Sequence, residues 1–93
     1  MTGNDLNSFM EDMYYNPEKE IRYNNKTYMI TGFVDETGEL YTLAVYTVKE
    51  NCKTLFSYTS KIRCECVKQF EQAKIFDGKT IYEAEKDIEV LFG

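Results

Sequence analysis

Carboxylates are the residues of this 93-residue chain best placed to do chemistry, because the sequence contains no His. Imidazole is the commonest general base and metal ligand in proteins, so its absence removes the usual route to both kinds of site. Paired carboxylates could cleave a glycosidic bond, but they must then face each other across a cleft that holds a sugar. Acids on turns and on one helix face offer no such cleft. We therefore interpret pairs such as Asp35 with Glu36 as solvated surface, and we predict no catalytic residues and no enzyme.

The three cysteines are the remaining candidates for metal binding and redox chemistry. Cys64 and Cys66 fall in a predicted helix, where positions i and i+2 lie about 200° apart, so their thiols cannot both bind one metal ion. Cys52 falls in a predicted turn. Structural zinc normally takes four Cys or His ligands, and a redox pair is usually Cys-x-x-Cys. We predict no metal, no cofactor and reduced thiols in a cytoplasmic protein.

The net charge of −5 is concentrated at the two ends of the chain. Residues 1–18 carry four acids and no base, residues 19–74 carry nine bases and seven acids, and residues 75–93 carry five acids and two bases. Direct binding of nucleic acid usually needs a strongly cationic face, so this distribution opposes it. No apolar run approaches the roughly 20 residues of a membrane helix, and no secretory signal is expected at MTGNDLNSF. The acidic ends favour a protein partner with a basic surface.

Two acidic clusters are the predicted partner-binding residues. Carboxylates on an exposed helix face can occupy the Arg and Lys channels that otherwise hold phosphates. The clusters are Glu11 and Asp12 in a first helix, and Glu83, Glu85, Asp87 and Glu89 in a third. Thr80 and Glu83 would start that third helix as a capping box. Its acids would form two like-charge i,i+4 pairs, each of which destabilises an isolated helix by about 0.2–0.5 kcal/mol.

The segment Leu40–Val48 is the strand around which the other elements are arranged, since it contains no charge, Gly or Pro. Its β-branched and aromatic residues suit a sheet, and both of its faces are largely apolar, as in a central strand covered in part on each side. Asn24-Asn25, the residues 35–39 and the loop over residues 49–53 are turns. They separate this strand from three others, predicted at Glu20–Tyr23, Lys26–Val34 and Thr54–Thr59. Four consecutive strands with short turns form an antiparallel meander.

Three amphipathic helices flank the strands. Asn4 or Asp5 caps the first, which ends at Asn16-Pro17 because the residue before Pro is pushed out of the α region. Ser60 caps the second. Each helix has apolar residues at the spacing of one helical face. These stripes are Leu6, Phe9, Met10 and Met13 in the first helix, Ile62, Cys66, Phe70 and Ala73 in the second, and Ile81, Ala84, Ile88 and Leu91 in the third.

The predicted fold class is α+β, as a single domain over residues 1–93. It has an N-terminal helix, a four-stranded antiparallel β-meander and two C-terminal helices packed on the sheet. Gly32 lies within a strand and indicates a bulge or a close contact with a packed side chain. The residues predicted to be most buried are Ile30, Leu43, Val45, Phe56, Ile62, Phe70, Ile88 and Leu91. Most of the eight Tyr are expected in the core, and a surplus on the uncovered sheet face would form an interface.

The segment FDGKTIYEAEKDIEVL, residues 76–91, resembles the C-terminal segment of small uncharacterised proteins from phages and bacterial mobile elements. Small size, acidity and a compact α+β plan without catalytic residues are also similar to the anti-CRISPR proteins as a class, with no shared motif. That resemblance implies a protein that blocks an effector by occluding its nucleic-acid or protein surface. It carries no site residue over to this chain.

Two functions follow from these observations. The leading hypothesis is a small acidic non-enzymatic protein-binding module, an anti-CRISPR-like inhibitor that occludes a basic nucleic-acid-binding surface. The alternative is a self-associating structural or accessory protein that forms a homodimer through a Tyr-rich sheet face. A small enzyme ranks third.

Overall fold

The computed structural model of the protein describes residues 1–48 and 53–93, so the predicted turn residue Cys52 lies outside the described part. The elements are α1 (Leu6–Asp12), β1 (Lys19–Tyr23), β2 (Lys26–Val34), β3 (Tyr41–Thr47), β4 (Thr54–Ser60), α2 (Arg63–Gln72), α3 (Ile81–Ala84) and β5 (Ile88–Phe92), with a 3₁₀ turn (Glu85–Asp87) between the last two. The fold class is α+β with an antiparallel sheet, as predicted. None of the described helices is long and apolar enough to cross a membrane.

The sheet has five strands in the order β4-β3-β2-β1-β5. Its first four strands form the expected meander, and the turn between β1 and β2 is the Asn24-Asn25 pair, with φ values of 50° and 62°. Asn tolerates this left-handed conformation, which a two-residue hairpin requires. The prediction of a four-stranded sheet is wrong because β5 adds a fifth strand beside β1.

The predicted third helix is wrong beyond Ala84. Its start is confirmed, because Thr80 and Glu83 form the expected capping box. The chain then passes through the 3₁₀ turn and pairs with β1, with Ile88 opposite Tyr23 and Val90 opposite Ile21. An unpaired β1 would leave a row of backbone donors and acceptors without partners, and the β-branched and aromatic residues of IEVLF suit the strand that satisfies them.

All three helices pack on one face of the sheet, which we call the helix face. Alternate strand residues point into it and join the buried residues of the helices in one apolar cluster. On the strands these core residues are Ile21, Tyr23, Tyr28, Ile30, Tyr41, Leu43, Val45 and Ile88. On the helices they are Leu6, Phe9, Met10, Cys66, Val67, Phe70, Ile81 and Ala84. Because strand side chains alternate, the remaining strand residues point to the opposite face.

That opposite face, which we call the open face, is covered by no element of the described chain. Its central residues lie side by side on β2 and β3, where Met29 pairs with Tyr46 and Thr31 pairs with Ala44. Each of the four is only partly buried, and Phe33 farther along β2 is 55% exposed.

The tyrosines lie mainly on the helix face, so the prediction of an exposed Tyr-rich face is wrong. Tyr23, Tyr28 and Tyr41 are buried, and the first two pack around Phe76 with ring centroids 5.6 and 5.2 Å away. Tyr46 is the tyrosine that reaches the open face. The alternation of residues along each strand shows which side chains share a face. It does not show which face the helices cover.

The predicted core is confirmed at Ile30, Leu43, Val45, Phe70 and Ile88, and Phe56 is partly buried against it. The prediction of burial is wrong at two other positions. Ile62 is 53% exposed because it precedes α2 as the N-cap residue, two positions after the predicted cap Ser60. Leu91 is 37% exposed because it lies where the β1–β5 register shifts.

Gly32 makes the predicted close contact. A Cβ atom at this position would clash with the hydroxyl of Tyr41 and would lie 2.6 Å from Cγ of Pro17. The phenol of Tyr41 therefore crosses the backbone of β2 where no side chain stands in its way. The guanidinium of Arg63 covers the same ring at 4.5 Å from its centroid.

We expect Phe70→Ala to lower the free energy of unfolding by about 3–5 kcal/mol, because the ring is fully buried between α2 and the sheet. Leu91→Ala is the matched control, and its partly exposed side chain should cost about 1 kcal/mol or less. Denaturant unfolding of both variants measures the difference. A loss below about 1 kcal/mol for Phe70→Ala would contradict the docking of α2.

Candidate functional site

Glu83, the first of the four predicted C-terminal binding residues, has a structural role. Its carboxylate accepts a hydrogen bond of 2.9 Å from the backbone N–H of Thr80, and its own N–H donates to the Thr80 hydroxyl at 3.3 Å. The bond from the Thr80 backbone lowers the pKa of Glu83 because it favours the charged form. This carboxylate stabilises the start of α3.

The other three acids of that cluster point to different parts of the molecule. Glu85 lies 4.0 Å from the amino group of Met1, Asp87 is exposed in the 3₁₀ turn, and Glu89 lies on β5. The carboxylate of Glu89 pairs with Arg22 on the neighbouring strand at 3.2 Å. The prediction that these acids form one continuous helix face is therefore wrong. Because the helix ends at Ala84, the two like-charge i,i+4 pairs do not form either.

The N-terminal acidic pair is also divided. Glu11 is exposed on α1, whereas Asp12 accepts a hydrogen bond of 2.8 Å from Nζ of Lys19. Both acids line a shallow open depression with Ser8 and Tyr15. A site for a small ligand usually encloses most of its surface, and this depression does not.

Lys19 is a buried cation that the sequence analysis did not single out. It lies on the helix face of β1 with no exposed surface, and its ammonium is 3.4 Å from the carbonyl oxygen of Gly93 and 5.1 Å from the centre of the Phe9 ring. A buried charge is tolerated when it is paired and hydrogen-bonded, and here the carboxylate of Asp12 supplies the pairing. The pair joins α1 to β1, so Asp12 is a structural residue. Asp12 and Lys19 are seven residues apart and separated by a turn, so their pairing could not be predicted from the sequence.

The thiol of Cys66 is fully buried, and Cys64 is partly exposed. Burial raises the pKa of Cys66, and its Sγ lies 3.6 Å from the carbonyl oxygen of Tyr41 and 3.5 Å from that of Tyr58. The described residues contain no group of three or more Cys, Asp or Glu arranged to hold a metal ion.

The open face is a further candidate for a binding surface among the described residues. Its centre carries no charge, since β2 and β3 contribute Met29, Thr31, Ala44 and Tyr46 there. The hydroxyls of Thr42 and Thr59 form a 2.7 Å hydrogen bond across β3 and β4. Among the described strand residues of this face, the charged ones are Glu20, Arg22 and Glu89, which lie on β1 and β5. The alternate uncharged residues of these strands indicate an uncharged face in the sequence. The sequence does not show whether the helices cover that face or leave it open.

The chain matches no protein-family model, and no curated protein or solved structure is significantly similar to it. The resemblance of residues 76–91 to phage and mobile-element proteins therefore stays a prediction from the sequence.

We expect Asp12→Asn to lower the free energy of unfolding by about 1–3 kcal/mol, because it leaves the buried ammonium of Lys19 without a counter-charge. The carboxylate of Asp12 is half exposed, so the cost falls below that of breaking a fully buried pair. Glu11→Gln, one residue away and exposed, is the matched control and should stay within about 0.5 kcal/mol. Equal unfolding free energies for the two variants would contradict the role of the Lys19–Asp12 pair.

We expect Cys64 to react with a thiol reagent before Cys66 in the folded protein. The Cys66 thiol is fully buried and its raised pKa reduces the thiolate fraction, which is the reactive form. Mass spectrometry of proteolytic fragments, taken at intervals after labelling, distinguishes the two sites. Labelling of Cys66 at the rate of Cys64 would show that α2 does not shield it.

Proposed function

We propose that this protein is a non-enzymatic protein-binding module that self-associates through its open face. The observation that carries the proposal is the uncharged, uncovered centre of this face, formed by Met29, Thr31, Ala44 and Tyr46. The absence of His from the whole chain supports a role other than acid–base or metal-dependent catalysis.

Electrostatics favour a second copy of the chain as the occupant of the open face. Arg22 and Glu89 neutralise each other at 3.2 Å, so the charge that remains on the described strands of this face is Glu20, on β1 and away from the centre. Two such faces can approach without like-charge repulsion at their centres. Aligned sheets pack face to face at about 10 Å, with the side chains of each filling spaces between those of the other.

The dimensions of the sheet are sufficient for a weak dimer. Five strands spaced at about 4.8 Å and about six residues long give a face of roughly 450–500 Å². Two such faces bury on the order of 1,000 Å², which lies at the lower limit of specific interfaces. A chain of 93 residues has a small core of its own, so burial of this face would add to its stability.

Inhibition of a nucleic-acid-handling enzyme is the second candidate. It is supported by the net charge of −5 and by the exposed carboxylates of Glu11 and Asp87. Their separation on the fold requires a partner that contacts more than one element. Binding of such an enzyme, weakened by salt and by the Glu11→Gln and Asp87→Asn changes together, would favour this function.

Sedimentation or light scattering at about 100 μM should give twice the monomer mass, with dissociation on dilution because the interface is small. We expect Tyr46→Glu to give a folded monomer, since it places a charge at the centre of the proposed contact. Tyr15→Glu is the matched control, because Tyr15 is 78% exposed and lies on the helix side.

The control variant should keep the mass of the unmodified protein. A monomeric unmodified protein at about 100 μM would contradict self-association. A dimer that persists in folded Tyr46→Glu would show that another surface forms the contact.

A further inference from the structure

The two edges of the sheet are protected very differently. At the β5 edge, Thr2 donates its N–H to the carbonyl of Ile88 at 2.9 Å and accepts the N–H of Val90 at 2.8 Å. The same strand carries the charged residue Glu89 and an irregular register at Leu91. These are features that prevent another chain from adding to a sheet.

The β4 edge lacks this protection. β4 is hydrogen-bonded to β3 on one side, and no described residue pairs with its other side. Its sequence, TLFSYTS, contains no charge and no Pro. The register is shifted near Leu55, but from Phe56 to Ser60 it is regular. Every second residue of a regular edge strand directs its N–H and C=O outward, where they form a template for another strand.

Two lysines mark the ends of this edge. Lys53 and Lys61 flank β4, both are exposed, and neither ammonium forms an ion pair with another described residue. The nearby Arg63 is occupied, since it stacks on Tyr41 and donates to the carbonyl of Tyr14 at 3.2 Å. The carboxylate of Glu65 accepts a 2.7 Å hydrogen bond from the hydroxyl of Ser60. An uncharged strand between two cations is therefore presented at the surface of an acidic protein.

These lysines oppose pairing between two copies of β4. In an antiparallel pair centred on Ser57, Lys53 of one copy would face Lys61 of the other at both ends. Like charges placed directly opposite each other destabilise a strand pair. A strand with acidic ends is favoured instead, because each of its carboxylates would face the ammonium of Lys53 or Lys61.

We infer that the β4 edge binds an extended segment of another protein, added as a sixth strand, with an acidic residue at each end of an uncharged core. Main-chain hydrogen bonds provide the affinity of such strand addition, and alternate side chains provide its specificity. On the helix face the added strand lies beside Phe56 and Tyr58, which are partly buried and favour apolar or β-branched neighbours. On the open face it lies beside Ser57 and Thr59, which favour Thr or Ser. The edge and the open face are different surfaces, so this inference does not depend on self-association.

The test is an NMR titration of the isotope-labelled full chain with a capped nonapeptide in which Val and Thr alternate between two terminal Asp residues. The two Asp residues are then eight positions apart, as Lys53 and Lys61 are. We expect its addition to shift the backbone amides of Phe56–Ser60 and to leave those of β5 unchanged. The same peptide with Lys at both ends should bind about tenfold more weakly at low salt, because it would place like charges opposite Lys53 and Lys61. The Asp peptide with alternate N-methylated residues should not bind, since it lacks the backbone donors.

The double variant Lys53→Glu with Lys61→Glu should reverse the preference and bind the Lys-ended peptide more tightly. Lys74→Glu with Lys86→Glu is the matched control, because it makes the same charge change at exposed positions outside β4 and should keep the original preference. Equal binding of the two peptides, shifts confined to other elements, or no binding at millimolar peptide would overturn the inference. Concentration-dependent shifts without peptide that are confined to the β4 amides, with none at Met29 or Thr31 on the open face, would overturn it in favour of self-pairing at this edge.

Discussion

The pairing of β1 with β5 is the interaction on which the rest of the arrangement depends. It satisfies the outer backbone groups of β1 and so converts the C-terminal segment from the helix favoured by its apolar spacing into a strand. The same pairing separates the acids of that segment, because Glu89 turns to Arg22 on the sheet while Glu83 stays at the helix cap. It also brings Gly93 against the side chain of Lys19. Strand pairing therefore determines where the charges lie.

A second consequence concerns the faces of the sheet. The chain has enough helix to cover one face of five strands, and the buried aromatic residues, including Tyr28 and Phe76, are gathered there. The other face has no charge at its centre, and no described residue pairs with the outer edge of β4. Natural sheet proteins normally cover or charge such features, so their combination in one small chain supports a protein-binding role.

Local features could be predicted from the sequence because local chemistry determines them. Asp5 caps α1 by accepting the N–H of Ser8, and the Asn24-Asn25 turn adopts the left-handed conformation that its residues tolerate. The third helix could not be predicted correctly, since its apolar residues fit a helical spacing while IEVLF also suits a strand, and only the free edge of β1 decides between them. The Lys19–Asp12 pair and the identity of the open face likewise depend on how the elements meet.

The most direct test of the central claim is an isotope-filtered nuclear Overhauser experiment on a mixture of labelled and unlabelled protein, at a concentration where the mass is that of a dimer. Contacts across the open face should appear between the ring of Tyr46 in one copy and the methyl groups of Met29 and Ala44 in the other. Intermolecular signals from α1 or α2 alone, with none from these three residues, would contradict the account.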